Sequence, residues 1–251
     1  MELERLARLG FSIAKGIAAA IRAYQEFHGL EVTGELDTPT IRSLNAPRFC
    51  GCPDVMAISS EMEANRWPDP HIYWGFANEW PASIGTEKAK EAITWATQQW
   101  EAVCGVRFKY CETGFPPEAR SRCLISCSPI DGAMGVLAQS ELANGRDGRK
   151  TQQYDSTERW VVSDRPANAQ IDLARVACHE LGHFIGIPHI ASGNLLQPTY
   201  DVRIRGPQPG DIAEARARYG PPIVDRPPPS PPAPAVERYM IEGSGIKITK
   251  V

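Results

Sequence analysis

No apolar run in this 251-residue chain approaches the roughly 20 residues needed to cross a bilayer, so a helical membrane span is not expected. An excess of one charge is lacking too. Lysine and arginine number 27 against 30 aspartates and glutamates, for a net charge of −3, which leaves no basic surplus to grip a phosphate backbone or anionic lipid and argues against a nucleic-acid partner. Nor is a secretory signal visible. The first fifteen residues intersperse Glu2, Glu4, Arg5 and Arg8 with apolar positions, a pattern of an amphipathic helix rather than of an apolar export segment. Histidine is scarce, at five residues. Cysteine is not: seven are many for a reducing compartment, and the odd count leaves at least one unpaired.

Three of the five histidines fall in His179-Glu180-Leu181-Gly182-His183-Phe184-Ile185-Gly186-Ile187-Pro188-His189, which fits HExxHxxGxxH. On a helix, positions four apart stand on one face, so His179 and His183 can aim at one ion with Glu180 beside it. Gly186 permits the positive φ that ends the helix and turns the chain back, bringing His189 round as a third nitrogen ligand. Three ligands leave one zinc position open, the mark of a catalytic rather than a structural site, and Glu180 is placed to take a proton from a water there. Asp172 is expected to N-cap this helix. Leu173, Val176, Ala177, Leu181 and Phe184 form its apolar stripe, and Cys178 points about 100° away from His179, toward the core.

Apolar periodicity sketches the surroundings. Ile72, Trp74 and Phe76 alternate as a half-buried strand, then Thr86 is expected to cap a long helix whose buried face carries Ala89, Ala92, Ile93, Ala96, Trp100 and Val103. Strands near 106–110, 123–127, 135–139 and 159–164 would complete a twisted sheet, with the tryptophans in its core. A closing helix is expected from Asp211, as cap, to Tyr219, with Gly220 as stop. Ahead of all this, Ile13 to Phe27 reads as a helix with Ile17, Ala20, Ile21, Tyr24 and Phe27 on one face, followed by a helix from Thr38 to Leu44. Cys104 and Cys111 bracket one strand while Cys123 and Cys127 share a face of another. Bridges between these pairs and burial as small hydrophobes are both open readings. After Gly220, Pro227 to Pro234 reads as a polyproline spacer extended at about 3.1 Å per residue. Residues 236–251 would form a hairpin around Gly243-Ser244-Gly245 or stay disordered.

The zinc segment resembles the metzincin clan and, within it, the matrixins, the family of the matrix metalloproteinases. Asn194-Leu195-Leu196-Gln197-Pro198-Thr199-Tyr200 lies where that family has its methionine turn and the Pro-x-Tyr wall of the specificity pocket. Here Leu196 replaces the methionine, an apolar floor under the histidines, at an expected cost below about 1.5 kcal/mol. Pro129 to Gln139 is similar to the family's calcium loop and substrate-binding edge strand. The resemblance makes Leu137 and Ala138 the residues that pair with a substrate peptide, Pro198 and Tyr200 the pocket wall, and Asp131, Asp155 and Glu158 calcium ligands. Solvated loop carboxylates are the plainer reading of those three. Gln139 and Gln153 stand where the family's structural zinc has ligands, so that second zinc is not expected.

Pro47-Arg48-Phe49-Cys50-Gly51-Cys52-Pro53-Asp54-Val55 resembles the family's cysteine switch, in which a propeptide thiolate fills the open zinc position. Phe49 is an insertion and Cys52 stands at a place that is usually apolar. Alignment on Cys-Gly-x-Pro-Asp makes Cys50 the zinc ligand, with Cys52 as rival; a plain CxC redox or metal motif is the alternative. Residues 29–37, with Val32-Thr33-Gly34-Glu35-Leu36-Asp37, resemble the small helical peptidoglycan-binding-like domain that also forms matrixin prodomains.

These readings imply an α+β metzincin catalytic domain, with a twisted mixed sheet, long helices and zinc at the cleft, behind a small helical prodomain. The division is 1–46 prodomain, 47–66 switch segment and activation linker, 67–220 peptidase domain, 221–235 proline-rich linker and 236–251 tail. The implied protein is a monomeric zinc endopeptidase made latent, acting on peptide substrates outside the cell or in the cell envelope, with Glu180 as general base. Two alternatives stand beside it: a hydrolase targeted to peptidoglycan by its N-terminal domain, and a non-catalytic module whose zinc Cys50 closes permanently. An intact Glu180 argues against the last.

Overall fold

The computed structural model describes residues 2–46, 48–55 and 65–223, together with the backbone of two strands, 239–242 and 247–250. The proline-rich run 227–234 and the glycine tip 243–245 lie outside the described residues.

Three short helices, α1 (Glu2–Arg8), α2 (Ile17–Phe27) and α3 (Thr38–Leu44), enclose a small core of Leu6, Leu9, Phe11, Ala20, Ile21, Tyr24 and Leu44. The helix expected from Ile13 is split. Ile13–Lys15 make a single 3-10 turn, and Gly16, at φ +103°, breaks the run before α2 begins. Such a φ suits glycine, which has no Cβ to clash. Gln25 is fully buried on α2, and its amide is hydrogen-bonded to Thr33, Gly34, Glu35 and Thr40. One satisfied polar side chain therefore holds the loop between α2 and α3 in place.

The strand β1 (Arg48–Cys50) follows, then β2 (His71–Phe76), α4 (Thr86–Val103), β3 (Arg107–Tyr110), β4 (Ser121–Ser128), β5 (Val136–Ser140) and β6 (Gly148–Asp155). These six strands form one mixed sheet in the order β1-β5-β6-β4-β2-β3, antiparallel only between β5 and β6. The architecture is α+β. Strand β6 was not expected, because Gly-Arg-Lys-Thr-Gln-Gln-Tyr-Asp carries no apolar alternation. It is nevertheless paired along its full length, from Ser121↔Gly148 to Ser128↔Asp155, and its buried Gln152 is satisfied by Ser140 and Tyr154. The strand expected at 159–164 shrinks to β7 (Trp160–Val161), paired with β8 (Ile171–Asp172) outside the main sheet.

Helix α4 begins after Gly85, not on a Thr86 cap. The Thr86 hydroxyl instead accepts from the Trp80 amide at 3.1 Å. Helix α5 (Leu173–Phe184) packs on α4 and is buried at every residue. Trp100 lies between them and donates its indole N–H to the Cys178 carbonyl at 2.8 Å. Asp172 precedes α5 without capping it, since its carboxylate is taken by Arg205 at 2.7 Å and the Ser163 amide at 3.2 Å. Helix α6 (Pro209–Tyr219) is capped by Gln208, with Asp211 as the third helical residue of a capping box rather than the cap. In the tail, β9 (Tyr239–Glu242) and β10 (Lys247–Lys250) pair antiparallel.

All seven cysteines are free thiols, so of the two open readings for Cys104, Cys111, Cys123 and Cys127 the structure shows no bridge. Cys104, Cys123 and Cys127 are instead buried in the main core, where burial raises their thiols well clear of neutrality. Five of the six tryptophans, all but Trp95, belong to that core.

Gly186 ends the zinc-motif segment at φ +92°, and a Cβ there would lie 1.8 Å from the Asn65 carbonyl oxygen. Both the turn and the close passage of the chain at Asn65 require glycine. Gly186→Ala is expected to destabilise the protein by about 2 kcal/mol or more, from the strained φ and the backbone collision together. A thermal melt of zinc-loaded protein reads this as a lowered midpoint, and an unchanged midpoint would contradict it.

Candidate metal centre

Helix α5 carries His179 and His183 one turn apart, and the turn at Gly186 returns His189 to their side. The rings gather closely, with centroids 4.6, 4.7 and 5.4 Å apart. Each imidazole is oriented by a main-chain carbonyl on its Nδ1: Leu195 for His179 at 2.8 Å, Ile187 for His183 at 2.7 Å and Pro53 for His189 at 2.9 Å. A donor at Nδ1 fixes the tautomer and leaves the Nε2 lone pair for a metal.

The sulfur of Cys50 lies 3.4 Å from His183 Nε2 and 3.2 Å from His189 Nε2. Bond lengths of about 2.3 Å to sulfur and about 2.0 Å to nitrogen give tetrahedral S···N edges of about 3.5 Å, so the spacing fits zinc. Among the described residues, Cys50, His179, His183 and His189 are the one group of at least three candidate ligands whose donor atoms all lie within 4.8 Å of one another. All four are buried, and Cys50 is fully so. Burial pushes the Cys50 thiol up and His179 and His189 down, all away from their charged forms. A divalent cation opposes that trend for the thiol, whose metal-binding form is the thiolate.

Glu180 is also fully buried, and neither carboxylate oxygen has a hydrogen-bond partner. An orphaned buried carboxylate beside a ligand cluster is costly unless a cation or a reacting water is meant to meet it. Leu196 is buried under α5 and packs close to Gly182, whose missing side chain makes room for it.

Cys50 reaches the centre as the end of β1, which lies in a slot. On one side it pairs in parallel with β5, Arg48 opposite Val136 and Cys50 opposite Ala138. On the other, Arg48 bridges Thr199 in antiparallel sense. Leu137 and Ala138 thus sit on a strand edge that is already covered, and Pro198 and Tyr200 flank the opposite wall. Pro198 is buried; Tyr200 is half-buried, its hydroxyl accepting from Arg175 at 2.6 Å and from the Asp172 amide at 3.1 Å. Cys52 sits apart from the cluster, half-buried, with its thiol toward the Ser140 carbonyl at 3.8 Å.

Several supporting groups carry no motif. Asp211 accepts from the amides of Leu195 at 2.8 Å and Leu196 at 3.0 Å, fixing the turn whose Leu195 carbonyl orients His179. Asp54 pairs with Arg48 and accepts from His28, the residue after α2, at 2.9 Å, tying the helical unit to the segment that carries Cys50. The one visible signal was the Asp of the Pro-Asp pair after Cys52.

His28 is held down to about 4, first by burial and then by the Arg48 charge. Arg48 already neutralises Asp54, so a proton on His28 would add an unbalanced buried charge. A histidine with a depressed folded value supports folding above its unfolded value of about 6.5 and loses that support as pH falls toward 4. The full effect is about 3 kcal/mol. Acidification through this window is therefore expected to loosen the segment that carries Cys50, read as faster labelling of Cys50 by a thiol reagent. His28→Gln should label with a flatter pH profile, and equal profiles would remove His28 from the latch.

The carboxylates of the 129–136 loop are mostly engaged by backbone. Asp155 accepts from the amides of Asp131 at 3.1 Å and Gly132 at 3.2 Å, Asp131 from Val136 at 3.0 Å, and Glu158 from Met134 at 2.5 Å. The second oxygen of Glu158 is buried without a hydrogen-bond partner, and burial raises this carboxyl. Gln139 donates to Gln153 at 2.8 Å, so these two satisfy each other.

A family model described as Matrixin matches residues 66–220, and one described as a putative peptidoglycan binding domain matches residues 4–44. The chain is 32% identical over 218 residues to the interstitial collagenase of Sus scrofa, covering 82% of this chain and 43% of that protein. To the matrix metalloproteinase-16 of Homo sapiens it is 30% identical over 248 residues, 89% of this chain and 40% of the relative. Stromelysin-1 of Rattus norvegicus gives 30% over 218 residues, with 82% and 44% covered. The chain thus spans less than half the length of these relatives. The matched span contains the HExxHxxGxxH helix, five of the six strands of the mixed sheet and the turn under the histidines, and on these grounds the chain belongs to the matrixin family.

Proposed function

We propose that this protein is the latent form of a zinc endopeptidase, with residues 1–46 as prodomain, 47–66 as switch and activation segment and 67–220 as the peptidase. The observation that carries the reading is the Cys50 sulfur, seated 3.2 and 3.4 Å from two of three converging histidine nitrogens at the end of a strand that fills the cleft. When bound, zinc supplies Lewis-acid chemistry, polarising a carbonyl and acidifying a water at the position the sulfur holds.

The chain's own residues do the rest. His179, His183 and His189 hold the ion. Glu180 takes the proton of the attacking water and returns it to the leaving amine, a role supported by its buried, unbonded carboxylate beside His179. Leu137 and Ala138 pair with a substrate backbone in the slot that β1 fills, and Pro198 and Tyr200 wall the pocket. Asp131, Asp155 and Glu158 are read as a calcium site; the orphaned Glu158 oxygen supports that reading, and calcium-dependent thermal stabilisation tests it.

Family membership makes an extracellular or cell-envelope setting the working location, and no helix among the described residues is long and apolar enough to cross a membrane. The peptidoglycan-binding match over residues 4–44 favours one second reading, in which the helical unit also docks on cell walls. Sedimentation of the full chain with purified walls decides it.

The test of the main reading is hydrolysis of a quenched peptide library by zinc-loaded protein before and after cleavage between residues 56 and 64 and separation of the N-terminal fragment, with Glu180→Ala as blank. Activity that appears only after the cut supports a latent peptidase. Silence in both forms would defeat the reading.

A further inference from the structure

Cys52 has no role in the site described, yet it sits two residues from the sulfur that closes it. The Cys52 amide donates to the Cys50 sulfur at 3.3 Å, so that sulfur is folded back over residue 52. Gly51 and Cys52 form a bend, and Gly51 places no side chain between the two thiols. A disulfide spans α carbons about 4.4–6.8 Å apart, a separation that residues two apart around a bend can meet. Access differs sharply between the two. Cys50 is fully buried, whereas Cys52 is half-buried and lines a cavity of about 470 Å³ with Ser126, Gln139, Ser140, Glu141 and Thr151. A small oxidant in that cavity meets Cys52 first.

We infer that Cys50 and Cys52 are a redox pair, and that forming the Cys50–Cys52 disulfide withdraws the sulfur from the three histidines and opens the site without proteolysis. The inference rests on the reading of Cys50 as the closing ligand. The oxidant is a low-molecular-weight disulfide. The Cys52 sulfur attacks it, releasing one small thiol and leaving a mixed disulfide on Cys52. The Cys50 sulfur then attacks the Cys52 sulfur and expels the second small thiol. The two cysteines lose two electrons and the small disulfide gains them. The released thiols take the cysteines' protons, with solvent making up the proton of a Cys50 already ionised. A sulfur in a disulfide has no thiolate to offer a metal, and closing the short S–S bond draws it toward residue 52. The five remaining thiols do not share this arrangement: Cys104, Cys123, Cys127 and Cys178 are buried in the main core, and Cys111 lies at the far end of the sheet beyond β3.

The test uses the zinc-loaded full chain, equilibrated with oxidised and reduced glutathione at graded ratios, then alkylated and digested after arginine. The peptide Phe49–Arg66 holds both cysteines. In the wild type it is expected to lose both alkyl labels and become lighter by two hydrogens, with peptidase activity rising in proportion to that oxidised fraction and both changes reversed by reductant. Cys52→Ser should stay silent under the same oxidant, with Cys50 labelled only after unfolding. A thermal melt matching wild type verifies that this variant is folded.

Absence of the internal link, a link without activity, or equal oxidative activation of Cys52→Ser would each overturn the proposal. Cys50→Ser separates the two layers. If it is active without oxidant while the wild type forms no internal link, the closing role of Cys50 stands and the redox role alone falls. If it is silent, the closing role itself falls.

Discussion

Glu180→Gln, in protein freed of its switch segment and loaded with zinc, is expected to lower kcat/KM by about 10²–10⁴-fold at unchanged zinc content. Glutamine keeps the shape of a side chain that is fully buried on α5, so the helix and the histidines it carries are undisturbed. What it loses is the ability to accept a proton. His179 and His183 keep the carbonyls of Leu195 and Ile187 in the freed protein and do not depend on Glu180 for their orientation, while His189 gives up Pro53 in wild type and variant alike. Metal analysis beside steady-state kinetics separates the outcomes: a loss of less than about tenfold would remove the general-base role, and lost zinc would make the residue a support of the metal site.

The second large effect is expected from Cys50→Ser in the uncut chain. A neutral hydroxyl is a far weaker zinc ligand than a thiolate, so the fourth position should open and peptidase activity appear with the prosegment still attached. The gain should be about tenfold to a hundredfold, equal to about 1.4 to 3 kcal/mol of lost closure. It should stop short of full activity, because β1 remains paired with β5 and Arg48 remains on Asp54. The cut protein should therefore exceed Cys50→Ser, chiefly through a lower KM, since the covered strand edge competes with substrate. An uncut Cys50→Ser as silent as wild type would mean that strand occupancy alone, and not the sulfur, keeps the site shut.

The zinc helix was legible because metal geometry dictates its spacing. His179, His183 and the turn at Gly186 follow from helical period and φ, and the structure gathers them with His189. Cys50 was legible through motif resemblance, and here it is Cys50 rather than Cys52 that joins the histidines. Strand β6 was illegible because its stability comes from a full ladder with β4 and from a satisfied buried glutamine, neither of which leaves an apolar rhythm. Asp172, Thr86 and Asp211 were each read as helix caps, the commonest use of such residues before a helix. All three were claimed by tertiary partners: Arg205, the Trp80 amide, and the Leu195 and Leu196 amides. Local propensity cannot see a partner that lies outside the helix being capped, whether 6 residues away, as Trp80 is from Thr86, or 33, as Arg205 is from Asp172. The same holds for His28, whose value lies in Asp54, 26 positions along the chain.

The switch segment is bonded into the helical unit at both ends of its Asp54-Val55 stretch. Asp54 takes His28, and the Val55 amide donates to the Leu9 carbonyl at 3.1 Å while Gly10 packs against the Val55 carbonyl. On the far side, Arg66 and Trp67 are built into the large unit through Arg218, Tyr219 and Phe184. A cut between these two anchorages therefore releases no loose peptide; it produces a folded ligand still seated in its receptor. Before the cut, closure is intramolecular and insensitive to protein concentration. After it, the same contacts obey mass action, with an effective concentration replaced by a real one. On the latent reading proposed above, dilution after the cut is then the step expected to raise activity.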